Sequence, residues 1–153
     1  MKTLYFACVC GAAGDMIAGA LIDAGADFET LRTALGSLQI GGFAVSVERV
    51  KKKGIEATQF RVDVDASAPQ PHRHLRHVLE IIEGGDLPPC VKDASAETFR
   101  RIAACEAEVH GTTVEHVHFH EVGAIDSIVD VIAAHLGLYL LGQYRAAVEE
   151  SEA

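Results

Sequence analysis

HVHFHEVGAIDSIVD, residues 116–130, joins two sequence patterns of different period. Up to residue 120 three histidines alternate with Val117 and Phe119, so an extended segment would place the imidazoles on one face and the apolar side chains in a core. After Gly123 the apolar residues follow a helical period, which predicts a helix that buries one stripe: Ile125, Ile128, Val129, Ile132 and Leu136. We therefore expect a strand-to-helix corner around Gly123.

Histidines and carboxylates converge at this corner. Asp126 and Asp130 are four residues apart, which places both on one face of the predicted helix, beside the segment with His118 and His120. Imidazole and carboxylate together are the ligands of divalent metals such as zinc, nickel, iron or manganese. A polar rim, with Asp126 as a helix-end group and His118 as an ordinary hydrogen-bonded histidine, is the alternative, and both interpretations stay open.

A glycine-containing loop is the second candidate site. Residues 2–10 are apolar nearly throughout and predict a central strand, and GAAGD (residues 11–15) follows it directly. A helical stripe of Met16, Ile17, Ala20, Leu21 and Ala24 then ends at Gly25. Free backbone N–H groups at a helix N-terminus attract phosphate, and Gly11 and Gly14 leave room for it. A tight turn with Asp15 as the helix cap is the alternative.

The remaining sequence predicts one hairpin and three more helices. Two alternating segments, residues 43–50 and 55–65, indicate antiparallel strands around a lysine-rich tip, with a bulge at Thr58-Gln59 where the inward parity changes. Asp27 caps a short predicted helix. Two further helices begin at Leu75 and at Pro88-Pro89, after a linker over residues 66–73.

These elements predict an α+β fold. We expect a small, mainly antiparallel sheet, made of the N-terminal strand and the hairpin, with several helices packed on it as a two-layer sandwich. Residues 1–142 are expected to form a single domain, and residues 143–153 a polar tail. With 153 residues, of which 49% are apolar, the chain can bury one core without disulfide or metal staples.

Charge and composition exclude several classes of function. Thirteen basic and 22 acidic residues give a formal net charge of −9, which disfavours nucleic acid or an anionic membrane as a partner. No apolar run is long enough to span a membrane and no cleavable leader is evident, so we expect a cytoplasmic protein. The four cysteines contain no C-x-x-C pair, which argues against a redox motif or a zinc ribbon.

Three stretches together resemble the nickel insertion proteins, which mature the nickel-pincer nucleotide cofactor of lactate racemase. They are GAAGDM at residues 11–16, HRHL at residues 72–75, and HG at residues 110–111 followed by residues 116–130. Residues 118–130 are the most specific part, and the resemblance extends to about Gly142. It implies a cyclometallase, a lyase that depends on CTP and inserts nickel into a pyridinium dithiocarboxylate mononucleotide.

The resemblance also implies roles for particular residues. Asp15 and Glu121 are implied as catalytic, and the loop with Gly11, Gly14 and Asp15 as the site for the mononucleotide. The implied nickel ligands are His118, His120, Asp126, Asp130, His72 and His74. One position departs from the family, because Ala7 stands where family members carry an aspartate just before the glycine loop.

The family resemblance implies partners as well. Members are much longer, so we expect this chain to correspond to their N-terminal half, with CTP and Mg or Mn bound by a separate C-terminal domain. That domain is an expected partner, and a homo-oligomer is another. The apolar end of the last helix is the expected docking surface: Leu136, Leu138, Tyr139, Leu140 and Leu141.

Two other functions remain open at this stage. One is a metal-binding chaperone or scaffold without catalysis, and the other is a metal-dependent hydrolase with histidine and carboxylate ligands. Catalysis needs an open coordination position and a substrate cradle beside the metal, whereas a storage site needs neither. The position of the glycine loop relative to His118 therefore separates these alternatives.

Overall fold

The computed structural model describes residues 3–8, 11–67, 73–119 and 122–142. Within them five helices and one two-stranded antiparallel sheet follow in this order: α1 (Gly14–Asp23), α2 (Phe28–Gly36), β1 (Phe43–Lys52), β2 (Ile55–Val64), α3 (Leu75–Gly84), α4 (Pro89–His110) and α5 (Ile125–Leu140). The α+β fold class predicted from the sequence is confirmed.

Helix α5 occupies the centre of the fold, where it contacts α1, α2, α4 and β2. Its predicted stripe is confirmed, because all five of its side chains are buried: Ile125, Ile128, Val129, Ile132 and Leu136. Burial of each such side chain stabilises the fold by about 1.5–3 kcal/mol. The two carboxylates of α5 therefore lie on a helix whose position is fixed by packing on several sides.

The hairpin is regular over its whole length. A two-residue turn at Lys53 and Gly54 has φ values of 51° and 86°, as in the type I′ turns that match strand twist. The pairing runs without a shift from Phe43↔Val64 to Lys52↔Ile55, so the predicted bulge at Thr58-Gln59 is wrong. The same alternate residues of β2 face inward along the whole strand, because Thr58 takes an inward position in line with Phe60. Ile55, which suggested the other alternation, is 73% exposed near the tip.

The predicted N-terminal strand is wrong for the residues that can be compared. Residues 3–8 form no strand, while residues 2, 9 and 10 lie outside the described part of the chain. Tyr5 is 86% exposed and Phe6 is 41% exposed. Apolar strand propensity depends on a surface to pack against, and five of residues 3–8 are exposed in the described fold.

Helix α1 forms where predicted but buries a different face. Met16 is 59% exposed, and Ala20 and Ala24 are also exposed, whereas Ala18 and Leu21 are fully buried. The helix packs closely on β2 and α5, and small residues on the contact face permit that approach.

The other helix ends follow the sequence signals. The Asp27 carboxylate accepts a hydrogen bond from the backbone N–H of Thr30 at 2.8 Å and so caps α2. Pro89 opens α4, which ends at Gly111 with φ 60°. No helix in the described ranges is long and apolar enough to cross a membrane.

Candidate metal and substrate site

Gly14 lies directly against Asp130, so the glycine loop and helix α5 meet at one point. A Cβ atom on Gly14 would lie 2.6 Å from the Asp130 Cβ and 3.1 Å from its Oδ2, which leaves no room for any side chain. The residue before the helix, Ala13, makes no side-chain cap, and Asp15 is the second residue of α1. Gly14 is therefore required for the close approach, and Asp15 is not the N-cap.

Four carboxylates line one open pocket at this contact, one of them, Asp63, from strand β2. Asp15 comes from α1, and Asp126 and Asp130 come from successive turns of α5. Strand β2 forms the opposite wall of this pocket of ≈ 370 Å³ with residues 59–63. One cation there, Arg61, already pairs with Glu48 at 2.7 Å. The pocket is thus strongly acidic, and we call it the acidic pocket.

Asp130 is the most perturbed carboxyl group of the acidic pocket. Burial, then the nearby charges of Asp15 and Asp126, raise the pKa of Asp130 to about 6, while a backbone hydrogen bond from Asp15 acts in the opposite direction. Its Oδ1 atom is buried and accepts no hydrogen bond within the described part of the chain. A buried carboxylate oxygen without a partner is costly, and a bound cation would satisfy it.

A histidine pair forms a second group of candidate ligands. The rings of His74 and His118 lie 4.0 Å apart between centroids, and His77 lies 5.6 Å from His74. The His74 Nδ1 atom is 3.0 Å from the carbonyl oxygen of Val117. Because a carbonyl only accepts, Nδ1 carries the proton there and Nε2 is left as the acceptor in the neutral ring. Metal-binding histidines are commonly held in this way.

The histidine segment partly follows the predicted alternation. Val117 and Phe119 are 2% and 1% exposed, as predicted, and His118 is exposed between them. His116 does not extend the row, since it lies in a turn where its Nδ1 atom is 2.9 Å from the Thr113 hydroxyl. The turn precedes the extended part, which is why only His118 of these two continues the alternation.

The structure brings some of the predicted site residues together and separates others. Asp15, Asp126 and Asp130 share the acidic pocket beside Gly14, and Gly11 lies at the loop start with φ 83°. His74 and His118 form the separate pair. His72, His120 and Glu121 lie outside the described residues. Among those described, no three His, Cys, Asp or Glu side chains are placed to hold one metal ion, so the ligand set remains a prediction.

Sequence reasoning missed the contribution of β2 to this site. Gln59, Arg61 and Asp63 line the acidic pocket from the strand. Their alternate spacing indicates a common side of the strand. Nothing in that spacing indicates that this side meets the start of α5, since the contact depends on tertiary packing.

Comparison with known proteins identifies the family. A family model described as nickel insertion protein matches residues 4–152, which extends beyond the predicted limit near Gly142. A "Putative nickel insertion protein" from Geobacter sp. (strain M21) is 46% identical over 142 residues, covering 93% of this chain and 37% of the relative.

A second relative carries a more specific name. The "Pyridinium-3,5-bisthiocarboxylic acid mononucleotide nickel insertion protein" of Desulfitobacterium hafniense (strain DSM 10664 / DCB-2) is 44% identical over 142 residues, covering 93% of this chain and 35% of the relative. The chain thus spans about a third of the length of these relatives, and no solved structure matches it significantly. This chain belongs to the nickel insertion protein family.

Proposed function

We propose that this chain binds nickel and a pyridinium mononucleotide, as part of an enzyme that inserts the metal into pyridinium-3,5-bisthiocarboxylic acid mononucleotide. The observation that carries the proposal is the buried Oδ1 atom of Asp130, which has no hydrogen-bond partner among the described residues and lies beside a glycine loop. The name of the Desulfitobacterium relative supplies the substrate class.

The charge of the acidic pocket favours a cation as its first occupant. A phosphate at Gly11 and Gly14 would meet the Asp15 and Asp130 carboxylates, and like charges at this range repel. The positive end of helix α1 attracts the same phosphate, although the Asp15 and Met16 N–H groups already donate to Asp130 and to the Asp15 side chain. We therefore propose that a divalent cation and the mononucleotide phosphate occupy the site together, with the cation between the two sets of negative charge.

Imidazole and carboxylate groups have different tasks in this proposal. Asp126 and Asp130 receive nickel from the carboxylate side, while His74 and His118, with His72 and His120, supply nitrogen ligands typical for this metal. Metal affinity then depends on pH, because both ligand types bind only after losing their protons. The described histidine pair shows how one such ring is oriented, through the hydrogen bond from His74 to the Val117 carbonyl.

Insertion of nickel at carbon requires a proton acceptor. The ring C–H bond breaks, the nickel–carbon bond forms, and the proton leaves to a base near that carbon. We propose Asp15 and Glu121 for this role, and Asp15 lines the same pocket as the candidate metal ligands. We propose that the reaction is that of a lyase and that its product serves lactate racemase.

The nucleotide triphosphate is proposed to bind elsewhere. We place CTP, with Mg or Mn, on the part of the relatives that this chain does not match, and this part is the proposed partner for turnover. A metal-binding module without catalysis is the other candidate function. It is favoured by the separation of the described candidates into a carboxylate group and a histidine pair, neither of which places three side chains around one metal ion.

Calorimetric titration with nickel chloride near pH 7.5 tests the proposal. We expect Asp130→Asn, and separately His118→Ala with His120→Ala, to weaken nickel binding by at least about tenfold, because each removes ligands. The control is Asp93→Asn, which removes the same charge from the exposed side of α4. Unchanged affinity in the Asp130 variant would remove nickel from the acidic pocket, and loss in the control would show a merely electrostatic effect.

A further inference from the structure

Arg73 is a buried cation that links two separate segments. It is 8% exposed and stands immediately before His74, the N-cap of α3. Its guanidinium Nη1 donates a hydrogen bond to the Gly123 carbonyl at 2.7 Å, and its own carbonyl accepts one from the Phe119 N–H at 3.0 Å. Arg73 therefore contacts both the end of the histidine segment, at Phe119, and the residues that lead into α5, at Gly123.

The contact among these three residues leaves little freedom. A Cβ atom on Gly123 would lie 2.8 Å from the Phe119 Cβ and 3.4 Å from the Arg73 Cβ. Phe119 is anchored in turn, because it is 1% exposed and packs against Phe99 with 6.1 Å between ring centroids. A shift of any one of the three would require the others to move.

Among the described residues, the Arg73 guanidinium is held by hydrogen bonding and not by an ion pair. Burial of the guanidinium lowers the pKa of Arg73, and no carboxylate of the described residues lies within 4.0 Å of it. Burial of a charge is costly, so the hydrogen bond to the Gly123 carbonyl is needed to hold the guanidinium in place.

We propose that Arg73 is a positioning residue that holds the histidine segment in a fixed place relative to the carboxylate helix. His74 follows Arg73, His118 precedes Phe119, and Asp126 lies three residues after Gly123. Each of the three points that Arg73 joins is thus one to three residues from a candidate ligand. The expected effect of Arg73 on nickel affinity rests on the proposed function, whereas its effect on the positions of the histidine rings does not.

The first test uses no metal. Imidazole signals of His74 and His118 are recorded by nitrogen-15 NMR, and substitution of His118→Gln reports their contact as a shift of the His74 signals. We expect His118→Gln to shift the His74 signals in an otherwise wild-type protein. We expect no such shift when Arg73→Met is also present. Arg73→Lys, which keeps one charged donor, is expected to restore part of it, and the exposed Arg101→Met is the control that leaves it unchanged.

A folded Arg73→Met protein that keeps the His118-dependent shift would overturn the proposal, even if its melting temperature fell. If that variant does not fold, Gly123→Ala tests the same linkage from the other side, because its Cβ would displace Phe119. Loss of the shift in folded Gly123→Ala supports the proposal, and an unchanged shift contradicts it.

The second test measures nickel affinity by calorimetry on the same proteins. We expect about a tenfold loss in Arg73→Met, the size usual for a residue that orients a metal ligand, and a smaller loss in Arg73→Lys. Wild-type affinity in Arg73→Met would contradict the role in ligand placement. If the wild type itself binds no nickel, the proposed function fails, and the imidazole shifts still decide the role of Arg73.

Discussion

Replacement of Asp130 by asparagine should stabilise the metal-free protein at neutral pH. The pKa of Asp130 is raised from 3.8 to about 6 by burial and by the charges of Asp15 and Asp126. Because the folded state favours the protonated form, ionisation of Asp130 opposes folding. The resulting loss of stability is absent below pH 3.8, grows as the pH rises from 3.8 to about 6, and is complete above about pH 6.

The size of the effect follows from the same pKa values. A rise from 3.8 to about 6, at about 1.36 kcal/mol for each pH unit, sets a ceiling of about 3 kcal/mol. Asp130 is only half-buried, so screening by solvent reduces this to about 1–2 kcal/mol. For a domain of this size, the melting temperature of Asp130→Asn should then exceed that of the wild type by roughly 3–6 °C at pH 7.

Thermal melts followed by circular dichroism from pH 4 to pH 8 measure this difference. His135 acts with the opposite sign, because burial lowers its pKa and acidification through this group therefore weakens folding. Its contribution is common to both proteins and cancels in the comparison of Asp130→Asn with the wild type. A difference that does not grow with pH, or that also appears in Asp93→Asn, would refute the reasoning.

Three further results are expected. Gly14→Ala should lower the free energy of unfolding by about 1–3 kcal/mol in urea titrations, since its Cβ would lie 2.6 Å from the Asp130 Cβ, and wild-type stability would contradict this contact. Nickel affinity of the wild type should fall from pH 7.5 to pH 5, because Asp130 becomes protonated and protons compete with the metal for its ligands, and a flat calorimetric profile would count against these ligands. The 153-residue chain with nickel, CTP and the mononucleotide should form no nickel-pincer product, by mass spectrometry, until the remaining part of a relative is added, and turnover by the chain alone would disprove this division of labour.

The sequence predicts the helical side of the site well, because the period of α5 alone determines which side chains are buried. The same reasoning places Asp126 and Asp130 on one helix and Val117 and Phe119 in the core, as observed. These features depend on local spacing, which one sequence contains in full.

The failed predictions depend on tertiary contacts. Residues 3–8 have strand propensity, but five of them are exposed in the described fold, and Thr58 occupies an inward position of β2 without a bulge. The contact of Gly14 with Asp130 and the two hydrogen bonds of Arg73 join residues far apart in the chain. No periodicity indicates such pairs, so the acidic pocket could be predicted only as a set of candidate residues.

Anomalous diffraction at the nickel absorption edge, from crystals soaked with nickel, tests the central claim most directly. The account predicts a peak in the acidic pocket within about 2.2 Å of the Asp130 Oδ1 atom, the atom that is buried and accepts no hydrogen bond from the described residues. Nickel bound only at other histidines or at exposed acidic residues, with no density beside Asp130, would contradict it.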